Sequence, residues 1–362
     1  MRRAIVPLLA VTTACSLLTS FEGFDVPRGG GTEAGATEAG EAAAPTGPCF
    51  HKRWPAPPQA GAATDIGEIV MAVRTFGLIS TDPATPHGFD LDNLCTCAEK
   101  AACVGAQPNR PCDPADSGID NATDSLFSLF SLVTDAGLDE SGLENGLARG
   151  RFGLVFKISG WNGEADDPEV LVSMLNAVEV NPEEDGGARF DGKDLWVPDV
   201  TSTLDGKIPS FFTRSAYVSG GVLVASFPRL VAKIRIPTFN DVWLLIPVEI
   251  SNAQITGRLR RTGATAELTT GELGGRVATR ALFSLAASAG ACGGTDTYRA
   301  IKATICDARD LPSDPSLDGR DSPCDSLSIG MAFDAIPARV TAEAGAVVDP
   351  TPCADAAPDD CR

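Results

Sequence analysis

Eleven cysteines, with none between residues 113 and 291, constrain this chain of 362 residues more than any other feature. Cys15 stands alone near the start, and two groups follow: Cys49, Cys95, Cys97, Cys103 and Cys112, then Cys292, Cys306, Cys324, Cys353 and Cys361. If Cys15 takes no part, ten remain, an even number that fits disulfide pairing in an oxidising compartment. Both groups are odd in size, so complete pairing requires at least one bridge across the cysteine-free middle. In the chain-entropy picture a bridge of that length is worth roughly 4–5 kcal/mol. The connectivity beyond this constraint stays open. A zinc site in the Cys95, Cys97, Cys103 and Cys112 group is the weaker reading. The paired spacings that structural zinc uses are missing, and the chain holds only two histidines, His51 and His87.

Arg2 and Arg3 precede an apolar run from Ala4 to Ala14, too short to span a bilayer and shaped like an export signal over residues 1–14. The stretch Thr12-Thr13-Ala14-Cys15 resembles the lipobox of bacterial secreted lipoproteins, a group without a common function. Ala14 and Cys15 fit the pattern and Thr12 departs from its usual leucine. The resemblance covers the first fifteen residues. It implies a diacylglyceryl group on Cys15, cleavage in front of it, and the membrane as a partner through that lipid; Ser16 then resembles the outer-membrane sorting residue. A plain secretory peptide cut nearby is the alternative. Residues 15–48 are Gly, Ala, Glu, Thr and Pro with few large apolar side chains, the composition of a flexible tether.

Residues 49–121 read as a loop-rich, disulfide-rich region with one apolar run, Ile66 to Val73. The main domain is expected over 122–340 as a mainly β structure, an antiparallel sandwich or barrel, with two short helices. Apolar residues at helical spacing mark those helices over 124–133 and 277–289. Strand-like runs stand at Phe152–Ile158, Val222–Phe227, Leu230–Ile236, Val242–Ile250, Ile255–Arg261, Thr265–Thr269 and Leu327–Phe333, separated by turn residues. Pro247 marks an edge or a bulge. The segment 298–340 reads as alternating, and the tail 341–362 as tethered by its cysteines.

A net charge of −19 speaks against a nucleic-acid partner, which needs clustered Lys and Arg to neutralise phosphates. The same acids could serve a cation, and Asp90, Asp92, Asp120 and Asp124 are the metal candidates, with calcium the one cofactor to expect, although no twelve-residue EF-hand loop is present. Trp161 and Trp196 stand in Gly-rich polar loops beside Asp166, Asp167, Asp191 and Asp194, a combination suited to a glycan platform or to plugging the ends of the core. Glu164 and the same aspartates would supply the carboxylate pair of a carbohydrate-active hydrolase. No Gly-x-Ser-x-Gly elbow, P-loop or dinucleotide fingerprint occurs. The expectation is therefore an exported structural or ligand-binding protein with a glycan or protein partner, the hydrolase being the alternative.

Overall fold

A computed structural model describes residues 51–361 apart from 63, 79, 81–85, 97–101, 105–112, 114–116, 124–139, 181–186, 238–242, 289, 346–352 and 354–358. The signal 1–14, the tether 15–48 with Cys15, and Cys49, Cys97, Cys112, Asp124 and the helix expected over 124–133 lie outside the described residues. Among the described residues twelve strands are present: β1 Ile69–Gly77, β2 Gly153–Ser159, β3 Asp167–Glu179, β4 Leu195–Pro198, β5 Thr203–Leu204, β6 Ile208–Pro209, β7 Phe211–Ser219, β8 Val222–Pro237, β9 Trp243–Thr262, β10 Thr265–Ala278, β11 Ser326–Pro337 and β12 Arg339–Val340. The described helices are α1 Glu140–Ala148, α2 Thr279–Ser288 and α3 Asp296–Asp307.

Strand pairing follows the chain: β1 with β2, β2 with β3, then β7 through β11 in succession, every pair antiparallel. β11 returns to β1, and the free edge of β3 takes β7, with Met174 opposite Phe211. Eight strands thus close into an up-and-down barrel, which removes the sheet edges that an open sandwich would expose. β4 and β12 extend one side of it.

Alternation along each strand sets the interior. On β11, Leu327, Ile329, Met331 and Phe333 enter the core, and on β2 Leu154, Phe156 and Ile158 do so. Between them, Ser326, Ser328 and Gly330 take the opposite face. The outside carries ion pairs such as Arg229–Glu249 and Lys157–Glu68. An apolar interior with a charged exterior is the inverse of a transmembrane barrel. No described helix is long and apolar enough to cross a membrane.

Helices α1 and α2 cover one end of the barrel. Leu143 and Leu282 meet Phe76, Ile234, Ile246 and Met331 there around an apolar cavity of about 60 Å³. That is well below the 300–1,000 Å³ or so of a small-molecule site.

Several elements differ from the sequence reading. β1 lies within the stretch read as loops, so the barrel begins at Ile69 and not at residue 122. Each of β8 and β9 is a single long strand where two shorter ones were expected. Asn252, at a φ of 50°, lets β9 bend without ending. Pro247 sits beyond Ser251, the last β9 residue paired with β10, so that half of β9 has β8 alone as partner and the missing N–H is tolerated. Residues 296–307 form α3 rather than alternating structure. The Thr295 side chain accepts from Tyr298 N, and Tyr298, Ile301 and Ile305 bury one stripe. β11 and α2 stand where their patterns placed them.

Cys103–Cys324 joins the two cysteine groups over a separation of 221 residues, as their odd sizes require. Cys292–Cys353 and Cys306–Cys361 hold the tail to α2 and α3. Cys95 is also disulfide-bonded. The Cys103–Cys324 bridge staples together two parts of an outer layer, the described residues of which are 86–96, 102–104, 113, 117–123 and 309–325, and this layer lies against the face of β10 and β11. The barrel wall there is stripped to admit it. A Cβ on Gly330 would stand 2.0 Å from the His87 carbonyl oxygen, and one on Gly274 would stand 2.7 Å from the Phe89 ring. Asn121 then ties the layer down, donating to His87 O and Gly330 O and accepting from Gly330 N.

Candidate functional site

The outer layer brings three acidic side chains together. Asp90 and Asp92 belong to the loop that follows β1, and Asp120 to the segment that returns toward α1. One carboxylate oxygen from each lies within 4.8 Å of the others, and all three residues are buried. No other such group of His, Cys, Asp and Glu occurs among the described residues. Asp124, the fourth metal candidate, lies outside them.

Each aspartate uses one oxygen to fasten the loop. Asp90 Oδ1 accepts from Asn93 N at 2.7 Å, Asp92 Oδ1 from Leu94 N at 2.8 Å, and Asp120 Oδ2 from Leu91 N at 2.7 Å. The second is an Asx turn, the local geometry that Asp favours in loops, and the first spans one residue more. The second oxygen of Asp90 meets His51 Nδ1. Asp92 Oδ2 and Asp120 Oδ1 are buried without a hydrogen-bond partner.

The electrostatics are one-sided. Burial raises Asp92 to about 7; the Leu94 N–H pulls the other way, and the like charges of Asp113, Asp90 and Asp318 add to the rise. Burial also holds Asp120 well above the usual carboxylate range, with Asp92, Asp113 and Asp310 pushing in the same direction. The nearby cation is Arg276, fully buried on β10. Its guanidinium grips both oxygens of Asp318 at 2.7 and 2.6 Å and donates to Leu91 O and Pro312 O. That arrangement neutralises Asp318 and positions the loop, and it delivers no hydrogen bond to Asp92 or Asp120. Two uncommitted carboxylate oxygens in a buried nest form a donor set of the kind that hard cations take.

The tryptophan platform is not assembled. Trp161 is 2% exposed in the barrel core beyond the end of β2, at the end opposite α1 and α2, and its Nε1 donates to Glu164 O. Trp196 is fully buried on the outer face of β1–β3, among Ala72, Val155, Leu175 and Ala177. Neither presents a face to a sugar ring, and both serve as core.

The four loop aspartates are likewise engaged in local structure. Asp166 accepts from Gly220 N, Asp167 from Asn162 N and Glu169 N, Asp191 from Lys193 N, and Asp194 from Arg189 N and Phe190 N. The two loops also sit at opposite ends of β3, because Asp167 opens the strand and Trp196 pairs with Glu179 at its close. At about 3.3 Å per residue that span is about 40 Å. A carboxylate pair drawn from both loops is therefore excluded, since glycoside hydrolysis needs roughly 5–10 Å.

Reading the sequence alone did not find Arg276 or the stripped wall at Gly274 and Gly330. A buried arginine on a strand has no periodicity of its own. The Gly-Gly pair at 274 and 275, between Leu273 and Arg276, was the available signal for close backbone approach. Comparison with protein-family models, curated proteins and solved structures found no match.

Proposed function

We propose that this chain is an exported protein, held at a membrane by a lipid on Cys15, whose role is structural or ligand-binding rather than catalytic. The observation that carries the reading is the disulfide framework. Bridges over separations of 221, 61 and 55 residues tie the N-terminal layer, the barrel and the tail into one unit, and such frameworks persist in oxidising compartments. The pairing across the two groups supports the parity argument that leaves Cys15 free for another use. A non-catalytic role is supported by the closed, filled barrel and by the loop carboxylates, whose oxygens fasten their own backbones. Two carboxylates in each loop are capping groups, which accounts for their presence without chemistry.

The test is the intact mass of the protein from its native host, before and after reduction. A diacyl or triacyl increment on Cys15 together with a gain of ten protons, one for each of the ten remaining cysteines, is the expected result. An unlipidated mass with an N-terminus elsewhere removes the anchor. A gain of fewer protons removes the parity argument.

A further inference from the structure

We propose that Asp90, Asp92 and Asp120 bind one calcium ion, which cements the outer layer onto itself alongside its disulfides. The inference stands apart from export and anchoring. It rests on charge, burial and donor chemistry at one place.

The layer between the loop 86–96 and the wall of β10–β11 gathers acidic groups from every element that faces it. Asp90 and Asp92 come from the loop, Asp113 and Asp120 from the returning segment, and Asp310 and Asp318 from the segment before β11. Asp318 is matched by Arg276, and Asp310 accepts from Ser328 N and Ser328 Oγ. His51 faces Asp90 from the N-terminal side, and Lys52 turns to Glu272. A buried carboxylate stays ionised only when it is paired or coordinated and otherwise takes up a proton, and here Asp120 Oδ1 and Asp92 Oδ2 are buried with no donor offered to them.

The donor set selects the ion. Zinc would want nitrogen or sulfur, but Cys95, Cys103 and Cys324 are held in disulfides and His51 Nδ1 is occupied by Asp90. Magnesium keeps its waters and an octahedral shell, which a nest buried under a protein layer suits poorly. Calcium takes carboxylate oxygens at about 2.3–2.6 Å in irregular geometry, so its opposite ligands stand up to about 5 Å apart. The observed ceiling of 4.8 Å among the three oxygens falls inside that reach. An ion there joins residues 90–92 to residue 120. The layer is already fixed to the barrel by Asn121, and by Ala122 N donating to Ser328 Oγ, so the ion would complete its attachment.

The experiment uses the disulfide-intact chain, stripped with a chelator and titrated with calcium alone, followed by calorimetry and thermal melting. The expected result is one ion per chain, with a melting temperature that climbs with each tenfold rise in calcium. The variant Asp92→Asn/Asp120→Asn is expected to lose both responses, and to melt in chelator at or above the temperature of the parent, because a neutral amide of the same shape replaces each buried acid. No heat and no shift in the parent overturns the proposal. So does an equal response in the variant, which would assign the binding to exposed acids. If the variant fails to fold, terbium luminescence of the parent decides. Trp54 lies edge-on to Phe89, the chain neighbour of Asp90, at 5.6 Å, and is the donor to test for sensitising a bound lanthanide. Calcium must quench that emission and Trp54→Phe must reduce it severalfold. Emission unchanged by Trp54→Phe refutes the site.

Discussion

The bridge between Cys103 and Cys324 offers the sharpest test of the architecture. Replacing both by alanine in Cys103→Ala/Cys324→Ala frees the outer layer from its staple while leaving two small apolar side chains beside Ala102 and Leu311, which share their small core. A separation of 221 residues gives a loop-closure entropy of about 18 cal/mol/K, or about 5 kcal/mol at 25 °C, in the chain model. At about 2–4 °C per kcal/mol for a chain of this order, the melting temperature should drop by about 10–20 °C. The assay is urea unfolding followed by tryptophan fluorescence. The midpoint should fall and the m-value should rise, because the unfolded chain without the crosslink exposes more surface. A loss below about 1 kcal/mol with an unchanged m-value would refute the reasoning, since it would mean that the crosslink does not restrict the unfolded chain.

Lys233 and Asp199 form a buried ion pair at 3.2 Å, so Lys233→Met should cost about 3–5 kcal/mol in urea unfolding, and adding Asp199→Asn should restore most of it. Gly330→Ala drives a Cβ onto the His87 carbonyl and should cost at least about 1–3 kcal/mol, with hydrogen exchange accelerated around residues 86–96. Tyr298 is pushed up to about 12, chiefly by burial and then by its hydrogen bond to Asp359, and burial also raises Tyr217. Absorbance at 295 nm should therefore show delayed ionisation of both tyrosines, with Asp359→Asn bringing Tyr298 back toward 10. Between about pH 10 and 12 the folded chain holds the Tyr298 proton that the unfolded chain has lost, so stability should fall as pH rises through that window. Asp359 behaves oppositely. Its hydrogen bonds from Lys302 and Tyr298 lower it, so its contribution should be lost as pH falls below the usual carboxylate range.

The parts of this fold that the sequence made legible are those whose cause is local or arithmetical. Phe152–Ile158 and Leu327–Phe333 alternate because one side of each faces the barrel interior. The two odd cysteine groups required a crossing bridge whatever the fold. β3 escaped notice because Asp167, Pro168 and Glu169 open it, while Asn176 interrupts its inner apolar face and Ser173 its outer one, yet its length places the two tryptophan loops at opposite ends of the barrel. Without that strand, Trp161 and Trp196 look like neighbours in exposed loops. Glycine-rich surroundings signal a turn and carry no information about depth, so two core tryptophans resembled a platform. At the carboxylate nest the residue types were visible, and Asp90, Asp92 and Asp120 were candidates from spacing alone. Their convergence depends on Gly274 and Gly330 opening the wall and on Arg276 setting the loop, all of which are long-range effects.

The seam where β11 meets β1 also bears on how the molecule is made. Met71 lies opposite Pro337 and Gly77 opposite Ala332, so the first barrel strand waits for a partner more than 250 residues away. A chain that emerges from its N-terminus, from a ribosome or from an export channel, cannot close the cylinder until almost all of it has arrived. During that interval β1 and each newly formed strand present open edges and an unsealed apolar interior, the conditions under which β proteins aggregate. High contact order of this kind makes closure slow. Oxidation of Cys103 with Cys324 follows the same clock, and a premature pairing of Cys103 with another cysteine of the first group is the error that an oxidative folding catalyst would have to undo.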